Sequence, residues 1–496
     1  MRRGLDDPKL TRDGKDGLAT QIAAHYRAAI ETGRLPRGER LPTIRAVAER
    51  MKVTRATVQA AYRMLAEAEL VRATVGRGTE VIAGTATHDR ALLSHAARAA
   101  SEALRAGPVP PGLPIGQSLV ADFGSLQPDR GTMPVDAVAD ALAKALRDDG
   151  PSLLAYGDPA GDRGLRELLG RRHARDAALA DAAERILITS GAQQGIDLVL
   201  RTLTEPGDAV AVAVPAYPQL FGALAAHDLR LVPIETHSGN LEPEALARVL
   251  DEVRLVYAMP TFQNPTGSTL DLEQRRALID VIARTDVPVL EDEVECELRF
   301  AGRELPSLQS LDPRGRTVTV RSFSKGLFPG VRIGWLEASP ELVAPIAALK
   351  RLCDLESSPL LQAALSRLLR SGVLDRELER LRAELRGRHA TARAQLKRVM
   401  PDGVRWSEPE GGLSLWIELP AQVDARRVAI AAAREGVLVT PGDAFHPRGR
   451  TVPGFRMALS RAPLDCIAPG IDVLARCVVA ELGARDDLRR PVPLVL

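Results

Sequence analysis

Between Pro151 and Ala338, short apolar runs alternate with stretches of helical spacing; the runs are residues 186–188, 209–214, 253–258, 287–290 and 318–320. This alternation predicts βαβ units, and with them a mostly parallel sheet covered by helices on both faces. Ligands on such sheets sit beyond the carboxyl ends of the strands. The polar residues at those ends are therefore the candidates for chemistry.

At 496 residues the chain exceeds a single ordinary domain, and 45% hydrophobic with 26% charged residues describes a globular protein. No apolar run approaches membrane-spanning length, and Gly4-Leu5-Asp6-Asp7 follows Met1-Arg2-Arg3 where a secretory signal would need an apolar core. No membrane contact and a cytoplasmic location are expected. Cys296, Cys353, Cys466 and Cys477 are scattered and read as reduced structural thiols, with no metal-ligand spacing. Charge is uneven along the chain. Residues 1–80 hold 16 Lys+Arg against 10 Asp+Glu, a surplus of six where the whole chain's is two. A basic unit joined to a mildly acidic body suits a reader of polyanions attached to something else.

The most concentrated polar cluster follows the run at 318–320. Ser322-Phe323-Ser324-Lys325 leaves the strand, and Pro329-Gly330-Val331-Arg332-Ile333-Gly334 follows. Ser322 and Ser324 can donate to phosphate oxygens, Arg332 can add a charge-assisted contact, and Lys325 can attack an aldehyde. Other strand ends carry their own signals. Thr189-Ser190-Gly191-Ala192-Gln193 opens a helix whose free N–H groups suit an anion. Tyr217 follows the run at 209–214 and can stack on a flat ring. Asn264-Pro265-Thr266-Gly267 and Glu291-Asp292-Glu293 follow the next two.

The first eighty residues are different. Leu18, Ile22, Tyr26 and Ile30 share one helical face, and Gly33 ends that helix. Pro36, Gly38 and Pro42 make a turn, after which Thr43 is placed to cap residues 44–51 and Thr54 to cap residues 55–67. Two short helices in this arrangement match helix-turn-helix geometry, with Arg55 and Thr57 in the first turn of the second. Residues 70–81 alternate around glycines, a hairpin with Arg77 at its tip.

These two sets of motifs resemble two known families. Gly33-x-Leu35-x-x-Gly38-x-x-Leu41-Pro42-Thr43-x-Arg45, then Val53-Thr54-Arg55-x-Thr57-Val58, then the glycine hairpin, are similar to the winged helix-turn-helix of GntR-type regulators. The resemblance implies contacts to a double-stranded DNA operator from Arg45, Arg55, Thr57 and Arg77, with Arg40 and Thr43 as further contacts. The string from Ser322 to Gly334 resembles the pyridoxal-phosphate lysine motif of fold-type I aminotransferases, in the spacing of MocR-type regulators. That resemblance implies pyridoxal 5'-phosphate held through Lys325 as an internal aldimine. Gly191, Ala192, Gln193, Ser322, Ser324 and Arg332 would surround its phosphate. It further implies Tyr217 over the ring, Asn264 at the ring hydroxyl, Asp292 at the pyridine nitrogen, and Arg456 on a substrate carboxylate. Tyr156, in Tyr156-Gly157-Asp158-Pro159-Ala160-Gly161, would reach a neighbouring subunit's phosphate, which implies a homodimer. The chain departs from the pattern at one place: a tyrosine usually stands two or three residues after the aspartate, and here Val294 and Glu295 do.

The expected fold class is α/β, with an N-terminal winged helix-turn-helix and fold-type I aminotransferase-like large and small domains. Expected boundaries are 1–82 for the DNA-binding unit, 83–116 for a proline-rich linker, 117–483 for the aminotransferase-like domain and 484–496 for a tail. Within the domain, the large part covers about 150–338, and the small part 339–483 with 117–149. The charge-patterned residues 374–400 read as a solvated helix. The expected function is a transcriptional regulator sensing an amino acid or amine. The alternatives are a working aminotransferase with a DNA-binding appendage, and a cofactor-free binding module.

Overall fold

The computed structural model describes residues 17–31, 35, 38–68, 70–74, 78–81, 94–106, 112–114, 117–173, 181–236, 238–326, 329–447, 450 and 452–489. Its contacts divide the chain into two compact units, Met1–Arg98 and Ala99–Leu496. The division falls inside a helix, His95–Ala106.

Among the described residues the first unit holds α1 (Leu18–Glu31), α2 (Ile44–Met51), α3 (Arg55–Glu67) and a hairpin of β1 (Val71–Thr74) with β2 (Gly78–Val81). Both threonine caps form. Thr43 Oγ1 accepts from Ala46 N at 3.2 Å and Thr54 Oγ1 from Thr57 N at 3.1 Å. Ile22, Tyr26 and Ile30 of α1, Val47 of α2 and Val58, Tyr62 and Leu65 of α3 close one core with Val71 and Val81. The buried stripes therefore face inward and leave Arg45 and Arg55 on the outside. Gly33 and Arg77 lie outside the described residues.

The second unit is built on a seven-stranded sheet of β4 (Ile186–Thr189), β5 (Ala209–Val214), β6 (Arg230–Glu235), β7 (Leu255–Ala258), β8 (Val289–Asp292), β9 (Thr317–Ser322) and β10 (Gly334–Glu337), in spatial order β4-β10-β9-β8-β7-β5-β6. Pairs from β6 through β9 are parallel, and β10 runs antiparallel between β4 and β9. Five of these strands match the apolar runs; β6 and β10 are additional. The register sets Gly334 opposite both Thr189 and Ser322. A Cβ at Gly334 would meet Arg321 O at 2.7 Å and Gly191 C at 2.9 Å, both backbone atoms, so only glycine lets three strands close there.

A smaller sheet follows, made of β11 (Arg405–Trp406), β12 (Ser414–Glu418), β14 (Thr440–Pro441) and β15 (Gly454–Ala458) in the order β11-β12-β15-β14. Beside it, β3 (Ala121–Asp122) pairs in parallel with β13 (Val437–Leu438), which returns the start of this unit to its end. The closing helix is Leu464–Arg489. Helix Val373–Val399 corrects the reading of 374–400 as a solvated face. Leu374, Leu378, Leu381 and Leu385 are buried along it, and so are Arg388 and His389; the leucines recur at spacings of four, three and four, and the charges between them mask that stripe in the sequence.

Candidate functional site

The carboxyl ends of β4, β5, β7, β8 and β9 point to one region, and the sequence candidates gather there. At the end of β4, Gly191 adopts φ +96° and starts helix Ala192–Leu203 without a side-chain cap. A Cβ on Gly191 would lie 2.7 Å from Arg332 Nη2. That guanidinium donates to Ser190 O at 2.9 Å, and Ser322 Oγ lies 3.0 Å from Ser324 Oγ. Uncapped helix N–H groups, two hydroxyls and an exposed arginine thus make a cradle for an anion. Tyr217 begins helix Pro218–Ala226 and donates to Gln193 Oε1 at 3.3 Å. Burial, with Asp292 nearby, pushes its phenol up to about 12.

Glu291, Asp292 and Glu293 are buried, with exposures of 0%, 3% and 3%. Asp292 accepts a 2.7 Å bond from the Tyr257 hydroxyl on β7 and a 3.2 Å bond from Val294 N. Burial still outweighs these bonds and raises its pKa to about 6. Lys325 Nζ donates to Leu126 O at 3.2 Å, and burial lowers its pKa, which favours the neutral amine. Asn264 Oδ1 accepts from Arg456 Nη1 at 3.0 Å, tying the large sheet to β15. Arg456 Nη2 donates to Gly124 O at 2.8 Å, while Nε has no partner and no carboxylate pairs with the guanidinium among the described residues. Burial lowers its pKa to about 10, so it keeps its charge at neutral pH.

Tyr156 is not brought to this site within the chain; it is 84% exposed. Four contributors escaped the sequence reading. Tyr257 was hidden inside an apolar run, where a lone phenol was the available signal. The carbonyls of Gly124 and Leu126 leave no side-chain signature. Glu295, noted only as a departure, is buried, and its carboxylate accepts a 2.9 Å bond from Leu413 N. In the first unit, Arg45 forms an exposed pair with Glu49 at 2.8 Å, Thr57 Oγ1 lies 2.8 Å from Thr54 Oγ1, and the backbone of Arg40 pairs with that of Glu80 in an isolated antiparallel β-bridge.

Residues 120–461 match the family described as aminotransferase class I and II, and residues 18–81 match bacterial regulatory proteins of the gntR family. The chain is 31% identical to the HTH-type transcriptional regulator TauR of Rhodobacter capsulatus, over 95% of this chain and 98% of that one. It is 29% identical to aromatic-amino-acid aminotransferase 1 of Thermococcus litoralis, over 71% of this chain and 86% of that one. Its fold is similar to that of Thermus thermophilus LysN, an alpha-aminoadipate aminotransferase solved with N-(5'-phosphopyridoxyl)-L-leucine. The TM-score is 0.70 at 27% identity, covering 80% of this chain and 99% of that one. Pyridoxal phosphate is the cofactor of this fold, and the residues present fit it: a cradle that a Cβ at Gly191 would fill, a half-buried lysine with a lowered pKa, and an orphaned arginine Nε. Among the described residues no helix is long and apolar enough to cross a membrane. The chain belongs to the GntR-type DNA-binding transcriptional regulators that carry an aminotransferase class I and II domain, the arrangement of the MocR subfamily.

Proposed function

We propose that the aminotransferase-like domain senses an amino acid or amine at Lys325 and that the DNA-binding unit converts its presence into a change in operator affinity. The observation that carries this reading is Arg456, a buried guanidinium with a free Nε and no carboxylate partner among the described residues. A buried cation without a counter-ion is costly unless an anion arrives, and a ligand carboxylate supplies one.

Pyridoxal phosphate, when bound, supplies an electrophilic aldehyde carbon and a ring that withdraws electrons from a carbon joined to it. The chain's residues then divide the work. The N–H groups of Gly191, Ala192 and Gln193 hold phosphate oxygens with Ser322, Ser324 and Arg332. Tyr217 covers the ring, and Asn264 donates its amide N–H to the ring hydroxyl. Asp292 keeps the proton on the ring nitrogen, with Tyr257 fixing its carboxylate. Lys325 Nζ, whose pKa burial lowers, presents in its neutral form the lone pair that attack on a carbonyl carbon needs. Arg456 orients the ligand by its carboxylate.

The working unit is a homodimer in the cytoplasm, in which Tyr156 serves the neighbouring subunit's phosphate site. Arg45, Arg55, Thr57, Arg40 and Thr43 contact the operator, with Arg77 as a further contact outside the described residues. Ligand binding shifts the population of DNA-binding arrangements. To test this, fragments of the source genome are selected on full-length protein at physiological salt, and the recovered operator is titrated with amino acids. A preferred sequence whose occupancy responds to an amino compound, with the response lost in Lys325→Ala, supports the reading. Absence of any preferred sequence, or an unaltered response in that variant, overturns it.

A further inference from the structure

Glu295 is one of the two residues that stand where the family pattern has a phenol, and its setting gives it work of its own. It is 3% exposed, and the one hydrogen bond its carboxylate receives among the described residues comes from Leu413 N, just before β12. Its backbone is fixed as well, since Leu298 N donates to Glu295 O and Gly412 N to Leu298 O. The carboxylate is thus held between the turn after β8 and the smaller sheet. Leu413 O in turn accepts from Leu459 N, and the next residue, Ser460, donates to Ser125 O, beside the Leu126 carbonyl that Lys325 holds, so Glu295 and Lys325 meet at the end of β15 with Arg456 and Asp292 as the other charged groups there. Two basic and two acidic side chains thus meet at one site, yet among the described residues no ion pair joins any two of them. Arg456 offers a place for the carboxylate of a zwitterionic ligand. The ammonium end needs a negative group near Lys325, and Asp292 is already engaged by Tyr257 and Val294 N.

We propose that Glu295 is the positioning residue for the amino end of the ligand, receiving the ammonium proton and later pairing with Lys325 when that amine stands free. In the first transfer an N–H bond breaks, its electron pair stays on the ligand nitrogen, and the proton bonds to a Glu295 oxygen. In the second the proton leaves that oxygen for Lys325 Nζ, restoring a carboxylate beside an ammonium. A phenol, neutral at pH 7, accepts no proton there, whereas a buried carboxylate does. The proposal rests on the roles given above to Lys325 and Arg456.

The test uses the full-length chain freed of cofactor. Lys325 is acylated with a limiting amount of acetic anhydride across a pH series, and its modification is read by peptide mass spectrometry. Because the Glu295 charge favours the ammonium, Glu295→Gln moves the midpoint to lower pH by about one unit. Glu295→Asp, which retracts the charge, moves it less in the same direction. In the loaded protein, the glycine-dependent absorbance change of Glu295→Gln shifts to higher pH, where glycine is already deprotonated in solution. Unmoved midpoints in both folded variants overturn the proposal; if Glu295→Gln does not fold, an unmoved midpoint in Glu295→Asp does so alone. Failure of the wild-type chain to take up pyridoxal phosphate would sink the functional reading, while the acylation midpoint still decides on Glu295.

Discussion

Replacing Arg456 with lysine keeps a positive charge and most of the volume but removes the planar fork. In the structure that fork donates to Asn264 Oδ1 at 3.0 Å and to Gly124 O at 2.8 Å, and Nε is left over. An ammonium on a shorter arm cannot keep both bonds and also meet a ligand. Loss of one charge-assisted bond to a carboxylate is worth about 1.5–3 kcal/mol, or roughly 10- to 150-fold in Kd. The two acceptors left short of a donor destabilise the fold by about 1 kcal/mol each, small for a domain of this size. The assay follows cofactor absorbance in loaded protein during titration with alanine and with ethylamine, which is alanine without its carboxylate. Alanine affinity falls by the stated factor and ethylamine affinity stays where it was. An equal loss for both, or no loss for alanine, refutes the placement of the carboxylate at Arg456.

Three further outcomes follow from the same structure. Gly191→Ala puts a Cβ 2.7 Å from Arg332 Nη2 at a φ of +96°, so the exposed guanidinium swings away at a backbone cost of about 1–2 kcal/mol. Cofactor titration then shows affinity lower by about tenfold or more, and an unchanged affinity rejects the cradle. Arg55→Ala, at the exposed start of α3, weakens operator binding and reduces the salt dependence of log K by about one unit if it meets a phosphate. Band-shift titrations at several salt concentrations read this, and an unaltered affinity removes Arg55 from the interface. Asp292 is raised to about 6 by burial, so the fold binds its proton more tightly than the unfolded chain does. Its contribution is complete below its ordinary value and is lost as pH rises through about 6. Wild-type, cofactor-free protein therefore gains roughly 1–2 kcal/mol on going from neutral pH to pH 5 that Asp292→Asn does not, as chemical denaturation measures. Parallel pH profiles for the two proteins contradict the burial argument.

The sequence exposed the central strands because they are buried on both faces and read as unbroken apolar runs. It hid β6 because this edge strand is partly exposed and carries Pro233, a residue that an edge tolerates and an interior strand does not. It hid β10 because this strand, Gly334–Glu337, is only four residues long, begins on the last glycine of the lysine motif and runs against its neighbours. Site residues near strand ends were legible for a simple reason: strand and ligand-facing residue are only a few positions apart. Tyr257 was not, since its bond to Asp292 comes from β7 lying beside β8, a relation between residues 35 apart. The partners of Lys325 and Arg456 in the 124–126 segment lie farther still, and they act through main-chain oxygens that any sequence would supply.

Gly334 and Lys325 flank one loop but differ in how firmly the architecture depends on them. At Gly334 a single added carbon collides with backbone from two other segments. At Lys325 the amine holds just the Leu126 carbonyl, and the loop bearing it spans no strand. Descent can therefore silence such a protein in one codon without dismantling it. Descendants lacking the lysine should survive as intact shells, with a coenzyme-shaped hollow as the fossil of an abandoned trade.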